Sequence, residues 1–590
     1  MAGVVFILMS NYLAVLTPQI TAFVVDKVQA LLPGGDTAQK SRQTDPLVNR
    51  FIEWVNNLDW TFAQVVALCS ITILVLAILR GLFMFFMRQT IIVMSRHIEF
   101  DQKNEIYHQY QRLDSSFYKV NSIGDLMNRI TEDVSRVRQY VGPAVMYLVN
   151  LVSMLFFAIG NMLAKNVELT LYVLAPLPLL AIIIFKVNTI IHRRSEKVQQ
   201  KMSALTTDAQ QAYSGIRVIK SYVQETLMLD FFRENSKDYR KNAIGLARVD
   251  AYYFPSIQLL IGLSTLITIM IGGIYFLTGK VTAIGTLVEF VLYINMLQFP
   301  VGAIGWVASI IQRASASQKR LNEFLQINPE IQDGKVSVFE PRKKVIEFRN
   351  VDFTYSNTGI QAMKDVRFEV EAGKMIGIMG RTGSGKSTIV QLLLRFFDVD
   401  KGAILFHGVN VKDLKLDVLR GSISYVPQEV FLFSDTIANN IRFGNEQVSM
   451  QEVEEAAKAA SIHHEIMGFA DGYNTLVGER GVTLSGGQKQ RISIARALLK
   501  EADVVVLDDC LSAVDAQTER IVLNNLKHNL KNKTALIITH RIFHHMDFDA
   551  ILVFQNGRLA ESGNHLDLLK HNGIYHDMYE RQQESVGSLP

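Results

Sequence analysis

Gly380-Arg381-Thr382-Gly383-Ser384-Gly385-Lys386-Ser387 fits the pattern G-x-x-x-x-G-K-S, with Thr388 directly behind it. A turn this rich in glycine aims its backbone N–H groups at a polyphosphate on a helix N-terminus, and the lysine ammonium faces the β- and γ-phosphates. Alone, the run specifies a nucleoside triphosphate. Further along, Val504-Val505-Val506-Leu507-Asp508 reads as a buried strand ending in a carboxylate. A hard cation prefers oxygen ligands, so Asp508 and the Ser387 hydroxyl are the expected Mg²⁺ partners.

Upstream of this loop the composition changes. The chain has 590 residues, and six stretches before residue 315 are apolar and almost free of charge: Met1–Val25, Thr61–Leu79, Gln139–Ala164, Leu169–Phe185, Ala251–Gly279 and Phe290–Gln312. A helix needs roughly 17–25 apolar residues to cross the hydrocarbon core. Five stretches reach that band, and Leu169–Phe185 sits at its lower edge with Pro176 and Pro178 predicting a kink. Six such segments exclude a soluble protein and place the chain in a lipid bilayer. The gaps Arg88–Arg138 and Lys186–Arg248 carry 8 and 12 Lys/Arg and belong in the cytoplasm. Six crossings then put both termini inside. The second gap, folded as two arms of about 30 residues, extends ~45 Å at 1.5 Å per residue.

Smaller features resolve plainly. Net charge is +4, which gives no reason to invoke nucleic acid. Cys69 and Cys510 form no disulfide framework, and the doublets His463-His464 and His544-His545 lack Cys or carboxylate at ligand spacing. Glu289 could meet a cationic substrate, but its place near the outer end of the sixth segment points to a solvated interface position.

Further motifs fall in one order over about 190 residues. Leu484-Ser485-Gly486-Gly487-Gln488 resembles the signature of ATP-binding cassettes, which closes ATP in from the opposite subunit. Tyr355 resembles the aromatic that stacks on adenine. Gln428, in Tyr425-Val426-Pro427-Gln428, resembles the glutamine that senses Mg²⁺ and the γ-phosphate. Ser512-Ala513-Val514-Asp515 resembles the loop crossing to the second cassette, and His540 the switch histidine on the γ-phosphate. Phe117–Asn121 leading to Gly124–Met127, and Gly215–Lys220, resemble the intracellular elements of ABC exporters, with short coupling helices expected near Ser116–Ser122 and Thr207–Gly215.

The chain thus resembles one half of a bacterial multidrug-type ABC exporter. The implied architecture is a six-span α-helical transmembrane domain over 1–325, a linker over 326–344, an α/β P-loop nucleotide-binding domain over 345–583, and a tail over 584–590. Such chains normally begin with an amphipathic elbow helix, whereas here the apolar run starts almost at Met1. If the elbow is missing through start-site choice, an in-frame upstream codon should precede Met1, whereas an upstream stop codon would leave a real truncation. A cleaved signal peptide is not expected.

One position departs from the family pattern. Most cassettes carry a glutamate after the Mg²⁺ aspartate to polarise the attacking water, and this chain has Asp509. A general base must come within about 2.6–3.2 Å of its proton. Aspartate is one methylene shorter, and displacement of about 1 Å is already costly. The resemblance implies catalytic roles for Asp509, His540 and Gln428, ATP and Mg²⁺ as cofactors, and a second half-transporter, a different chain supplying the glutamate, as partner. A hydrophobic small molecule is the expected cargo across the cytoplasmic membrane. A homodimeric lipid flippase and an ATP-gated sensor or channel are the competing readings.

Overall fold

The computed structural model describes residues 1–31, 44–58, 60–445, 447–478, 481, 483–512, 514–531, 533–542 and 546–587, so the His544-His545 doublet, Asp59 and Ala513 lie outside the described residues. Two compact units result, Met1–Gln111 with Gly124–Ile327, and Arg112–Ile123 with Asn328–Pro590.

The first unit is helical. Among the described residues five helical spans are long and apolar enough to cross a membrane: Ala2–Ala30, Phe62–Arg112, Ile123–Lys165, Glu225–Leu277 and Ile284–Leu325. Large apolar side chains such as Ile71, Leu74, Ile78 and Phe85 stay exposed along the second, as lipid contact requires. The stretch Leu169–Phe185 is not one uninterrupted helix. It divides into Val167–Leu174 and Pro176–Ser214 around Ala175, because the Pro176 ring removes a donor and crowds the preceding turn. Inside Ile123–Lys165 the helix widens into π-turns at Arg129–Asp133 and Tyr140–Ala144, the latter holding Pro143.

The arms differ in one detail from expectation. A short helix occupies Ser115–Val120, as expected, but the second turn comes later than Thr207–Gly215. Thr206 and Thr207 bond back to the carbonyls of Met202 and Ser203 and stay helical as far as Ser214. The reversal falls at Gly215, with a short helix over Ile216–Ser221 and Val223 at a φ of +54°.

Glu289 also requires correction. Its side chain is fully buried, as Lys165 nearly is, and the two meet at 3.4 Å. The Tyr293 hydroxyl lies 3.0 Å from Glu289 Oε1 and 3.1 Å from the Val15 carbonyl oxygen, while Gln19 donates to Asn161 at 2.8 Å. Three helices, Ala2–Ala30, Val145–Lys165 and Ile284–Leu325, bury this polar seam between them. The side chain faces a neighbouring helix, a fact that position along its own helix does not reveal.

The second unit is α/β. A four-stranded antiparallel sheet has the order Gln361–Glu371, Lys344–Thr354, Lys401–Phe406, Val409–Asn410. A six-stranded sheet has the order Arg558–Gly563, Ala550–Gln555, Met375–Gly380, Thr534–Ile538, Val504–Asp508, Ile423–Val426. The last five run parallel, and their central three are buried along every residue, as strands covered on both faces must be.

Arg112–Ile123 joins this unit through Asp114. One carboxylate oxygen caps Ser115–Val120, accepting from Ser116 Oγ at 2.6 Å and from Phe117 N at 3.4 Å. The other accepts from the backbone N–H groups of Glu330 at 2.6 Å and Ile331 at 3.3 Å. Burial works against the charge, yet the Ser116 hydroxyl and the three N–H donors hold the carboxyl below its ordinary range. A depressed folded pKa contributes stability above the unfolded value near 3.9, which disappears as pH falls through the folded value. Asp114→Ala is expected to cost about 1–3 kcal/mol at neutral pH through orphaned donors. Melting of the full chain should show this gap narrowing below about pH 4; a gap constant with pH would contradict the assignment.

Candidate functional site

Parallel strands in an open sheet present their carboxyl ends to ligands. Here those ends carry Gly380, Asp508, the Thr539-His540 pair after Ile538, and Gln428 after Val426. Beside them opens a cavity of about 690 Å³ lined by Tyr355, Thr382–Thr388, Gln428, Asp508, Asp509 and His540. The fold therefore gathers most of the expected site residues into one place.

The phosphate loop is shaped by its glycines. Gly385 has a φ of +98° and Gly380 one of +147°, and a Cβ there would stand 2.6 Å from Ala362 O and 2.3 Å from Phe554 O. Lys386 opens the helix Lys386–Leu393 and folds back over the loop, donating to the carbonyls of Gly380 at 2.8 Å and Arg381 at 2.9 Å. Burial pulls its pKa down, opposed by the charges of Asp509 and Asp508. Ser387 donates to Asp508 Oδ1 at 3.2 Å, so both expected Mg²⁺ ligands already meet. Burial raises the Asp508 pKa, and the adjacent Asp509 charge adds to the effect. Such a carboxylate favours a cation beside it.

These features fit a magnesium nucleotide. Among the described residues Ser384 Oγ is buried in the loop without a hydrogen-bond partner, and the ammonium bonds to carbonyls. When bound, Mg²⁺ would screen the polyphosphate charge, held by Ser387 and Asp508. Tyr355 stands at the cavity wall, its hydroxyl 3.1 Å from Thr388 Oγ1 and donating to Gln391 Oε1 at 2.9 Å.

Asp509 adopts a left-handed φ of +47°. Its Oδ1 lies 3.0 Å from His540 Nδ1, and Gln428 Nε2 reaches Oδ2 at 3.5 Å. The three residues assigned catalytic roles thus converge. The next residue, Cys510, is buried, which pushes its thiol up to about 12 and leaves it unreactive.

The signature stands apart from this cavity. Leu484 is buried, and Ser485 caps Gly486–Leu499 through a reciprocal pair with Gln488. Glu465 braces that helix, accepting from Gln488 at 2.9 Å and from Arg491 at 2.6 Å. Neither Leu484–Gln488 nor Asp515 lines the nucleotide cavity. Asp515 caps Ala516–Asn529 by accepting from Gln517 N and Thr518 N.

Sequence reasoning missed Tyr425, whose hydroxyl approaches Asp508 Oδ2 at 3.5 Å. Burial, and then the Asp508 charge, raise its pKa, so it stays a neutral donor. Its signal was an aromatic at the partly exposed position of the otherwise buried strand Ile423–Val426. His463, which carried no functional reading, has its Nδ1 2.8 Å from the Tyr473 hydroxyl.

Comparison with known proteins agrees with this geometry. Residues 1–301 match the family described as the ABC transporter transmembrane region, and 363–512 match the family described as ABC transporter. The chain is 37% identical over 539 residues to the multidrug resistance-like ATP-binding protein MdlA of Escherichia coli, covering 91% of each chain. It is 39% identical to the probable multidrug resistance ABC transporter ATP-binding/permease protein YheI of Bacillus subtilis, covering 79% of this chain and 80% of the relative. An ATP-dependent lipid A-core flippase of Pseudomonas fluorescens is 35% identical, over 80% of this chain and 78% of that one. The solved structure of a bacterial Atm1-family ABC exporter with ATP bound superposes with a TM-score of 0.74 at 25% identity, covering 98% of each chain. The chain belongs to the ABC transporter family, as an exporter that couples ATP hydrolysis to transport through a membrane.

Proposed function

We propose that this chain is one half of a heterodimeric exporter of hydrophobic, drug-like or lipid-like molecules across the cytoplasmic membrane, and that its own phosphate loop lines the slower of two ATP sites. Six spans with both termini in the cytoplasm, and domain boundaries at 1–325, 345–583 and 584–590, complete the reading. Tyr355 stacks the adenine, Thr382–Thr388 cradle the phosphates, and the signature Leu484–Gln488 with Asp515 serves the partner's nucleotide.

Asp509 carries the proposal. Its backbone sits in the left-handed region while His540 and Gln428 hold the carboxylate at the cavity wall. A glutamate there would extend ~1.5 Å further, one carbon–carbon bond. A general base contributes about 10²–10⁴ in rate when positioned and little when it falls short. The partner's glutamate, closed by this chain's intact Ser485, then supplies the fast site.

Steady-state ATPase of the reconstituted pair tests the asymmetry. Asp509→Ala is expected to change turnover by less than about twofold, since an unpositioned base contributes little. Ser485→Ala should lower it about tenfold, the value of one hydrogen bond to a charged phosphate. Equal and severe losses would make Asp509 a working base. A symmetric homodimer, the lipid-flippase reading favoured by the Pseudomonas fluorescens relative, would then replace this one.

A further inference from the structure

The short helix Ser115–Val120 carries Lys119 into the aromatic group that holds Tyr355. Its ammonium lies 4.7 Å from the centroid of the Tyr355 ring and 4.5 Å from that of Phe397. The two rings meet edge to face at 5.5 Å, and Phe353 meets Tyr355 the same way at 4.9 Å. Tyr355 lines the nucleotide cavity and Lys119 does not, so the cation bears on the ring from outside the cavity. The hydroxyl bonds to Thr388 and Gln391 fix one end of the side chain. The ring beyond that end packs against the buried core of this unit. Phe353 and Phe397 limit its tilt at the edges, and Lys119 limits it at the π-surface. The helix is itself pinned by Asp114 to Glu330 and Ile331, which fixes the backbone that carries the ammonium to the two rings.

We propose that Lys119 is a positioning residue for nucleotide binding, setting the plane of Tyr355 by a cation–π contact so that the purine finds a prepared stacking surface. The proposal rests on the reading of Tyr355 as the adenine-stacking residue. An ammonium over an aromatic ring is a modest interaction at a partly exposed site, and its loss corresponds to about two- to fivefold in affinity. The effect belongs to the base and not to the phosphates, because Lys119 touches nothing in the phosphate loop among its described contacts.

The test is titration of the purified full-length chain with the magnesium complexes of a non-hydrolysable ATP analogue and of tripolyphosphate, which has no base. Lys119→Ala should weaken the analogue about two- to fivefold and leave tripolyphosphate unchanged. Lys119→Arg, which keeps the cation, should restore analogue binding, and Lys119→Ala should have no further effect in a Tyr355→Ala background. Unchanged or tighter analogue binding in Lys119→Ala, an equal loss for tripolyphosphate, or an additive loss with Tyr355→Ala would overturn the proposal. If Tyr355→Ala alone weakens the analogue while Lys119→Ala does not, only the positioning role fails. If Tyr355→Ala changes nothing, the adenine assignment falls with it.

Discussion

Lys386→Ala is expected to reduce nucleotide affinity of this chain by about 10²–10³-fold, the loss of two hydrogen bonds to charged phosphates. The ammonium already lies over the loop, held by the Gly380 and Arg381 carbonyls, and little reorganisation is needed for it to turn to a phosphate. Burial favours its neutral form, and only the Asp508 and Asp509 charges oppose this. An incoming polyphosphate adds further negative charge beside it, so binding and protonation reinforce each other. Photo-labelling of the full-length protein with an ATP analogue measures the effect. Labelling of Lys386→Ala at wild-type strength would refute the phosphate assignment for the whole loop.

The second large effect lies in the helical unit. Glu289→Leu removes the carboxylate that the nearly inaccessible Lys165 meets at 3.4 Å within the polar seam. Breaking one side of a buried ion pair costs about 3–5 kcal/mol, whereas replacing both sides by apolar residues is near neutral. Glu289→Leu should therefore melt well below wild type in detergent, and Glu289→Leu combined with Lys165→Leu should recover most of the loss. A silent single variant, or a double variant as unstable as the single, would show that the pair contributes little. Because the Tyr293 hydroxyl and Gln19 share the same polar seam, a partial recovery is the expected form of the result.

How much of this was legible depended on whether the information is local. The phosphate loop, Asp508 and the signature each state their chemistry within a few residues, and the parallel sheet then had to bring Asp508, His540 and Gln428 to one edge. The kink at Ala175 was legible for the same reason, since a proline acts on its own turn. Glu289 was not. Whether a charge near a helix end meets solvent or a neighbouring lysine depends on a residue over a hundred positions away. Lys119 and Tyr425 were hidden similarly, because a cation above a ring or a hydroxyl beside a carboxylate leaves no periodicity in the chain. The second arm's turn was misplaced because Thr206 and Thr207, poor helix formers by composition, satisfy their hydroxyls on the preceding turn and stay helical.

The placement of Arg112–Ile123 within the cassette's compact unit also sets a timetable for synthesis. The ribosome completes that segment long before it reaches Asn328, where the rest of the unit begins. At 5–20 residues per second the interval is roughly 10–40 s. Throughout it, the Asp114 acceptors lack the Glu330 and Ile331 N–H groups that they bond in the finished fold. The later helices of the first unit must be made and inserted in that interval. The cassette is therefore a domain whose first piece is made early and whose closure comes last.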